Sequence, residues 1–109
     1  MFFGKRKKLA QKNQLDRNVI DVNYKMIDAL VVLCTDDDFN TELKKLQEQL
    51  KYQISSTNDK VCSFDKKIKS AIDDLKIALT KEGDAKNNAK AQSLLREIRV
   101  LIAERNSYL

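Results

Sequence analysis

Apolar residues recur along most of this chain with the period of an α-helix. Between Val61 and Leu79 they are separated by steps of 3, 4, 4, 3 and 4 residues, which average the 3.6 residues of one helical turn. A helix is therefore predicted over residues 58–82, with one face formed by Val61, Phe64, Ile68, Ile72, Leu75 and Leu79. The opposite face is expected to present charged side chains such as Asp65 and Asp74 to water. Such a helix is stable only when its apolar face packs against other elements, so the rest of the chain must supply them.

Three further segments carry the same pattern, and helices are predicted over residues 15–34, 39–54 and 85–107. The first is predicted to bury a stripe formed by Leu15, Val19, Val22, Met26, Leu30 and Leu33. Three β-branched residues widen this stripe: Ile20, Ile27 and Val31. The second is predicted to bury Phe39, Leu43, Leu46, Leu50 and Ile54. The fourth is predicted to bury Ala91, Leu94, Leu95, Ile98, Leu101 and Ile102.

The segments between these helices contain residues that favour helix ends. The run 35–38 is expected to cap the second helix, because its carboxylates suit the positive end of a helix dipole. Ser56 or Thr57 is expected to cap the third helix, and Gly83 to end it. Asp84 is then expected to cap the fourth helix, which follows so closely that helices three and four must fold back on each other.

These observations predict an all-α fold. The chain has no proline and only two glycines, whereas sheet proteins need many turns rich in both residues. With 109 residues it is expected to form one domain over residues 13–109. The predicted architecture is a compact four-helix bundle of up-down-up-down topology, in which helices three and four form a long antiparallel hairpin. The alternative is a helical hairpin with two short helices whose core is completed by dimerisation.

Positive charge is concentrated at the start of the chain. Residues 1–12 hold five basic side chains and no acid, so the other residues, with 16 basic and 16 acidic side chains, sum to zero. This basic leader is expected either to be disordered or to extend helix one. Phenylalanine rings beside basic residues combine apolar insertion with attraction to anionic headgroups. The candidate membrane or anion contacts are therefore Phe2, Phe3, Lys5, Arg6, Lys7 and Lys8. The alternative is a solvated tail.

The residue types needed for catalysis are sparse. The chain has no histidine, which removes the commonest general base and metal ligand. Asp36, Asp38 and Asn40 begin a calcium-loop pattern. However, Thr41 stands where that loop needs glycine, and Gln47 where it needs glutamate, so the segment is interpreted as a helix cap. Acids on solvent-facing helix positions lack the burial that tunes a pKa for catalysis. We expect no catalytic residue, no cofactor and no metal site.

The two cysteines are interpreted as free thiols in a reducing cytoplasm, since two are too few for a disulfide framework. Cys34 is expected to be a small core residue, and Cys62 to lie at the rim of its helix's apolar stripe. The longest apolar run, Ala29 to Cys34, is far shorter than the ~18–20 residues of a membrane span. The chain is therefore predicted to be cytoplasmic, and a leader that docks on lipid would hold it at the inner face of the membrane.

Three functions remain open. The first is a non-enzymatic helical interaction protein, an adaptor or assembly subunit that binds a protein partner or itself. The second is a peripheral membrane protein that docks through the leader. The third is nucleic-acid binding, in which the leader is joined by basic residues of helix four: Lys86, Lys90, Arg96, Arg99 and Arg105. The third is disfavoured because the chain outside the leader is neutral and the same region carries Asp84, Glu97 and Glu104.

Overall fold

The computed structural model describes the backbone of residues 2–82 and 88–109, and the side chains of residues 17–80 and 88–109. The described residues form four α-helices, and no β-strand occurs among them: α1 (Phe2–Leu33), α2 (Asp37–Lys51), α3 (Asp59–Glu82) and α4 (Ala89–Ser107). This confirms the all-α prediction. Because α1 begins at Phe2, the backbone of the leader continues directly into the first helix. None of the described helices combines the length and the apolar character needed to cross a membrane.

The helices alternate in direction, as predicted for an up-down-up-down bundle. α1 packs against α2, and α3 packs against α4 as the predicted antiparallel hairpin. α1 also packs against α3, and these two helices run in the same direction. Asn23 of α1 binds Asp65 of α3. Further along both helices, Ala29 and Lys76 line one groove.

The two hairpins stand side by side in the bundle. While α1 packs on α3, Glu42 of α2 forms an ion pair with Arg99 of α4. The order around the bundle is therefore α1, α2, α4 and α3. It follows that the connection from α2 to α3, residues 52–58, crosses one end of the bundle diagonally. We call this connection the crossover.

The core forms where the predicted stripes of α2, α3 and α4 meet. Its buried members include Phe39, Leu43, Leu46, Leu50, Ile68, Ile72, Leu75, Ala91, Leu94, Leu95, Ile98 and Ile102. Val61 is also buried, whereas Phe64, Leu79 and Leu101 are only half-buried. The prediction for Ile54 was wrong, since its side chain is 68% exposed. The physical reason is that α2 ends at Lys51, so Ile54 lies in the crossover and has left the helical period.

The inward face of α1 differs from the predicted one. Ile20, Ile27 and Leu30 are buried, but Val22 is 42% and Leu33 is 61% exposed. Apolar residues of this helix occupy two adjacent faces, and α2 and α3 together cover only one of them. The prediction that Val22 and Leu33 point inward was therefore wrong, and an apolar stripe is left on the outside of the bundle.

Side-chain caps close the joint between α1 and α2. The Asp36 carboxylate accepts a hydrogen bond from the backbone N–H of Phe39 at 2.8 Å, which caps the start of α2. Asn40 donates through Nδ2 to the carbonyl oxygens of Val31 (2.6 Å) and Cys34 (3.3 Å), so it satisfies acceptors at the end of α1. The interpretation of this segment as a helix cap is confirmed.

Two predicted caps are replaced by asparagines. At α3 the cap is neither Ser56 nor Thr57, because Asn58 Oδ1 accepts the hydrogen bond from Lys60 N at 2.9 Å. At α4 the cap is Asn88, whose Oδ1 accepts from Ala91 N at 2.9 Å and whose Nδ2 donates to the Ala78 carbonyl of α3 at 3.1 Å. One buried amide thus starts α4 and ties it to α3. The predicted residues Gly83 and Asp84 lie outside the described part of the chain.

Candidate functional site

The candidate contacts of the leader lie outside the described side chains. Only their backbone, as part of α1, belongs to the described structure. This applies to the whole predicted set: Phe2, Phe3, Lys5, Arg6, Lys7 and Lys8. The described side chains instead supply one buried polar cluster and three surfaces.

The polar cluster is centred on a buried ion pair between α3 and α4. Arg105 Nε donates to Asp65 Oδ1 at 2.6 Å, and the two side chains are 0% and 1% exposed. Both sequence predictions for these residues were wrong, because Asp65 was placed in water and Arg105 was a candidate contact for nucleic acid. The signal was present in the spacing, since Asp65 follows Val61 by four residues and Arg105 follows Ile98 by seven. Each charge therefore lies within an apolar stripe.

The same cluster fastens the crossover to three helices. Arg105 Nη2 donates to the Ile54 carbonyl oxygen at 2.6 Å, and Arg17 Nη1 donates to the Gln53 carbonyl oxygen at 2.9 Å. Asn23 Nδ2 donates to the Asp65 carbonyl oxygen at 3.3 Å. We call Arg17, Asn23, Gln53, Asp65 and Arg105 the polar joint, in which the Gln53 side chain is also buried. Its charges bind one another and the backbone, so its chemistry is that of a structural fastening.

Aromatic rings and lysines meet on the outside of the polar joint. The rings of Phe64 and Tyr108 stack with centroids 5.6 Å apart and an interplanar angle of 24°. Lys60 Nζ lies 4.9 Å from the Tyr108 centroid, and Lys67 Nζ lies 5.1 Å from the Phe64 centroid. These distances are within the range of cation–π attraction.

The crossover extends this surface. Lys51 Nζ lies 5.7 Å from the centroid of Tyr52, and Tyr52 and Ile54 are both exposed. The carbonyl of Ile54 is held by Arg105, one helical turn before Tyr108, so these groups share one end of the bundle. We call this surface the basic-aromatic end, formed by Lys51, Tyr52, Ile54, Lys60, Phe64, Lys67 and Tyr108. This surface was not predicted from the sequence, because its members come from three separate segments.

The second surface is the uncovered stripe of α1. It consists of the exposed residues Val22, Ala29 and Leu33 together with Met26, which is half-buried and packs partly against the core. The four residues are separated by steps of 4, 3 and 4 residues. It borders a groove of about 250 Å³ between α1 and α3, lined by Val22, Lys25, Met26, Ala29, Ile72 and Lys76. We call the stripe and groove together the α1 groove. Its lining is apolar, with Lys25 on the α1 side and Lys76 on the α3 side.

The third surface is an open cavity of about 460 Å³ between the start of α2 and α4. Arg96 and Arg99 line it, but so do Asp36, Asp38 and Glu42. Two of the predicted nucleic-acid contacts already bind carboxylates of this protein, because Arg99 is paired with Glu42 and Arg105 is buried in the polar joint with Asp65. Lys90 is exposed, and the side chain of Lys86 lies outside the described part of the chain. The cavity is mixed in charge and does not form a basic patch.

Both cysteines are free thiols and half-buried. Cys34 packs against the core, and its Sγ lies 3.7 Å from the Asp36 carbonyl oxygen. Burial raises the pKa of the Cys34 thiol; the hydrogen bond to Asp36 opposes this effect, and the nearby Asp36 charge adds to it. Cys62 Sγ lies 3.3 Å from the Ser56 carbonyl oxygen. Among the described residues, no group of three or more His, Cys, Asp or Glu side chains is placed to hold a metal ion.

Comparisons of the chain with protein-family models, with curated proteins and with solved structures found no match.

Proposed function

We propose that this chain is a non-enzymatic helical interaction protein, an adaptor or assembly subunit, whose partner docks in the α1 groove. The observation that carries the proposal is the uncovered stripe. Val22, Met26, Ala29 and Leu33 follow one another at helical spacing over three turns, about 16 Å of helix. Val22, Ala29 and Leu33 are exposed on the outside of the bundle, and Met26 is half-buried and packs partly against the core. A soluble helix usually turns such a stripe toward a packing partner, and here α2 and α3 pack on the neighbouring face.

The chemistry of the α1 groove favours a particular kind of partner. Its apolar lining suits the apolar face of an amphipathic helix, which binds by laying residues at i, i+3, i+4 and i+7 into a groove. Lys25 and Lys76 flank the lining, so acidic residues on both edges of the bound helix would complement them. The proposed occupant is therefore a helix of another protein whose apolar stripe is bordered by Asp or Glu.

The chemistry of the other described side chains supports a role without catalysis. The buried charges Asp65 and Arg105 bind each other and are screened from any substrate. Asp73 and Asp74 are exposed on the surface of α3 and are not part of the buried polar cluster. The Cys34 thiol has a raised pKa, which lowers its content of reactive thiolate.

Site-specific photo-cross-linking in the protein's native cells tests the proposal. A photoreactive phenylalanine analogue at position 29 should give one dominant adduct, because this position lies in the α1 groove. The same analogue at position 44, an exposed site on α2, is the control and should not give that adduct. Mass spectrometry of the adduct identifies the partner and the cross-linked peptide, which should be amphipathic and acid-flanked.

Charge reversal provides the second arm. The double variant Lys25→Glu/Lys76→Glu should abolish the position-29 adduct, whereas Lys44→Glu/Lys45→Glu should leave it in place. An adduct formed equally from positions 29 and 44, or one insensitive to the groove reversal, would refute the proposal. An adduct between two copies of this chain would replace the heterologous partner with self-association.

A further inference from the structure

We propose that the basic-aromatic end is a contact surface for an anionic lipid membrane. It shares no residue with the α1 groove, so this inference is independent of the proposed protein partner. Three features of the described side chains carry it: the local excess of lysine, the exposed apolar and tyrosine side chains, and the rigid anchoring of the crossover.

The charge of this end suits an anionic surface. Residues 51–67 carry four exposed lysines, Lys51, Lys60, Lys66 and Lys67, against one exposed acid, Asp59. The other acid of this segment, Asp65, is neutralised by Arg105 in the polar joint. The exposed side chains of residues 51–67 therefore sum to +3, and the exposed Glu104, one helical turn before Tyr108, brings the sum at this end to +2. All residues outside the leader together sum to zero. Lysines near an anionic bilayer each add to the attraction.

The exposed apolar groups suit a bilayer better than a nucleic acid. Tyr52 and Tyr108 combine an apolar ring with a hydroxyl, which is the character found at the headgroup level of membranes. Ile54 is exposed in the crossover, where Arg105 holds its carbonyl oxygen, and an aliphatic side chain offers no face for stacking a base. Phe64 and Tyr108 already stack on each other, with lysines over their rings. The geometry thus favours insertion of Ile54 and the tyrosines among lipid headgroups.

The polar joint presents these groups in a fixed position. The carbonyl oxygens of Gln53 and Ile54 are held by Arg17 and Arg105, so the crossover is ordered before it meets a membrane. Binding then avoids the entropy loss of ordering a loop. The hydrogen bond from Arg17 also places the crossover beside α1, whose preceding residues 2–16 continue as helix from this end of the bundle.

Vesicle binding with matched variants tests this inference. Wild-type protein should sediment with vesicles of phosphatidylcholine and phosphatidylserine, and not with phosphatidylcholine alone. Lys60→Gln/Lys67→Gln should weaken binding about 25-fold, since each lysine contributes about fivefold, or about 1 kcal/mol. The control Lys44→Gln/Lys45→Gln removes the same charge from α2 and should have no more than a minor effect. Added salt should weaken wild-type binding as it screens the lysines.

Insertion is tested separately from charge. The chain has no tryptophan, so Ile54→Trp creates a single reporter whose emission should shift to shorter wavelength when anionic vesicles are added. Val32→Trp, at a site that is 80% exposed at the opposite end of α1, is the matched control and should not shift. Both sites are on the surface, so circular dichroism should show unchanged folding of the two variants.

Four outcomes would overturn the inference. The first is a failure of wild-type protein to sediment with anionic vesicles at low salt, and the second is an Ile54→Trp emission that is the same with and without them. The third is a loss of binding on deletion of residues 2–8 when the lysine variant still binds, which would assign the contact to the leader alone. Finally, binding to a single-stranded oligonucleotide in preference to anionic vesicles would assign the surface to nucleic acid. Sedimentation retained by the leader deletion and weakened by Lys60→Gln/Lys67→Gln would support it.

Discussion

Replacing Arg105 with methionine should severely destabilise the bundle. The substitution keeps the length and apolar stem of the side chain but removes the guanidinium from a site that is fully buried. Asp65 would then be a buried carboxylate without its cationic partner, and breaking a buried pair in this way costs about 3–5 kcal/mol. The Ile54 carbonyl oxygen would lose its donor as well, which is worth a further ~1–3 kcal/mol. Domains of this size are stable by about 5–15 kcal/mol, so much of the total would be lost.

A double-mutant cycle separates the ion pair from general damage to the core. Asp65→Leu alone leaves a buried guanidinium without the Asp65 carboxylate and should also cost about 3–5 kcal/mol. With the loss at the Ile54 carbonyl included for Arg105→Met, additive effects of the two changes would reach roughly 7–13 kcal/mol. The double variant Asp65→Leu/Arg105→Met has no buried charge. It should lose only the ~1–3 kcal/mol of the unbonded Ile54 carbonyl, which implies a coupling energy of several kcal/mol.

Urea unfolding followed by far-ultraviolet circular dichroism measures each corner of this cycle. Arg96→Met is the matched control, because Arg96 is an exposed arginine of the same helix, and its loss should fall within about 0.5 kcal/mol of wild type. If Arg105→Met were no more damaging than Arg96→Met, or if the cycle were additive, the polar joint would not hold the bundle as described.

Three further predictions concern the core, a cap and a thiol. Ile68→Ala should destabilise by about 2–5 kcal/mol in the same urea assay, and Asp74→Ala on the exposed face by no more than about 0.5 kcal/mol; equal losses would contradict the assignment of faces. Asn88→Ala should lower stability by about 1–2 kcal/mol, because the cap of α4 is lost. Asn88→Asp keeps the accepting oxygen but loses the donor to Ala78, so its stability should differ from that of Asn88→Ala if both hydrogen bonds form. In a Cys62→Ser background, folded protein should react more slowly with iodoacetamide than urea-unfolded protein, because a raised pKa leaves less Cys34 thiolate. The folded state holds the Cys34 thiol proton more tightly than the unfolded state. The stability that this thiol contributes is therefore present below its ordinary pKa of about 8.5 and is lost as pH rises through the folded pKa. Equal alkylation rates in both states would refute the prediction.

Helical periodicity was enough to predict the bundle and most of its core. A period of 3.6 residues identifies the face of a helix that packs, and the stripes of α2, α3 and α4 were located in this way. Periodicity does not say which neighbour covers a face or how wide the covered sector is. Both apolar faces of α1 therefore looked alike in the sequence, and only the positions of α2 and α3 decide that Leu30 is covered while Val22 is not.

The polar joint was missed for a different reason. Charged residues were assigned to water by their chemistry, although Asp65 and Arg105 occupy stripe positions of opposite charge on adjacent helices. Asn23 fits the same rule, since it follows Ile20 by three residues and precedes Ile27 by four. Polar residues that lie within the apolar stripes of several helices are therefore the sequence pattern from which this cluster could have been predicted. The basic-aromatic end had no such signal, because its surface forms only when the crossover is folded over α3 and α4.

The polar joint also sets an order of events for folding. Each hairpin is built from contacts between neighbouring helices, but the bonds of the joint link residues that are 36, 40, 42 and 51 positions apart. Such long loops close late, because their entropy must be overcome before the contact can stabilise anything. During synthesis on the ribosome the first hairpin can pair as soon as α2 emerges. The bond from Arg17 to the crossover can form together with that hairpin. The bonds of Arg105 to Ile54 and Asp65 must wait until the end of α4 has left the exit tunnel.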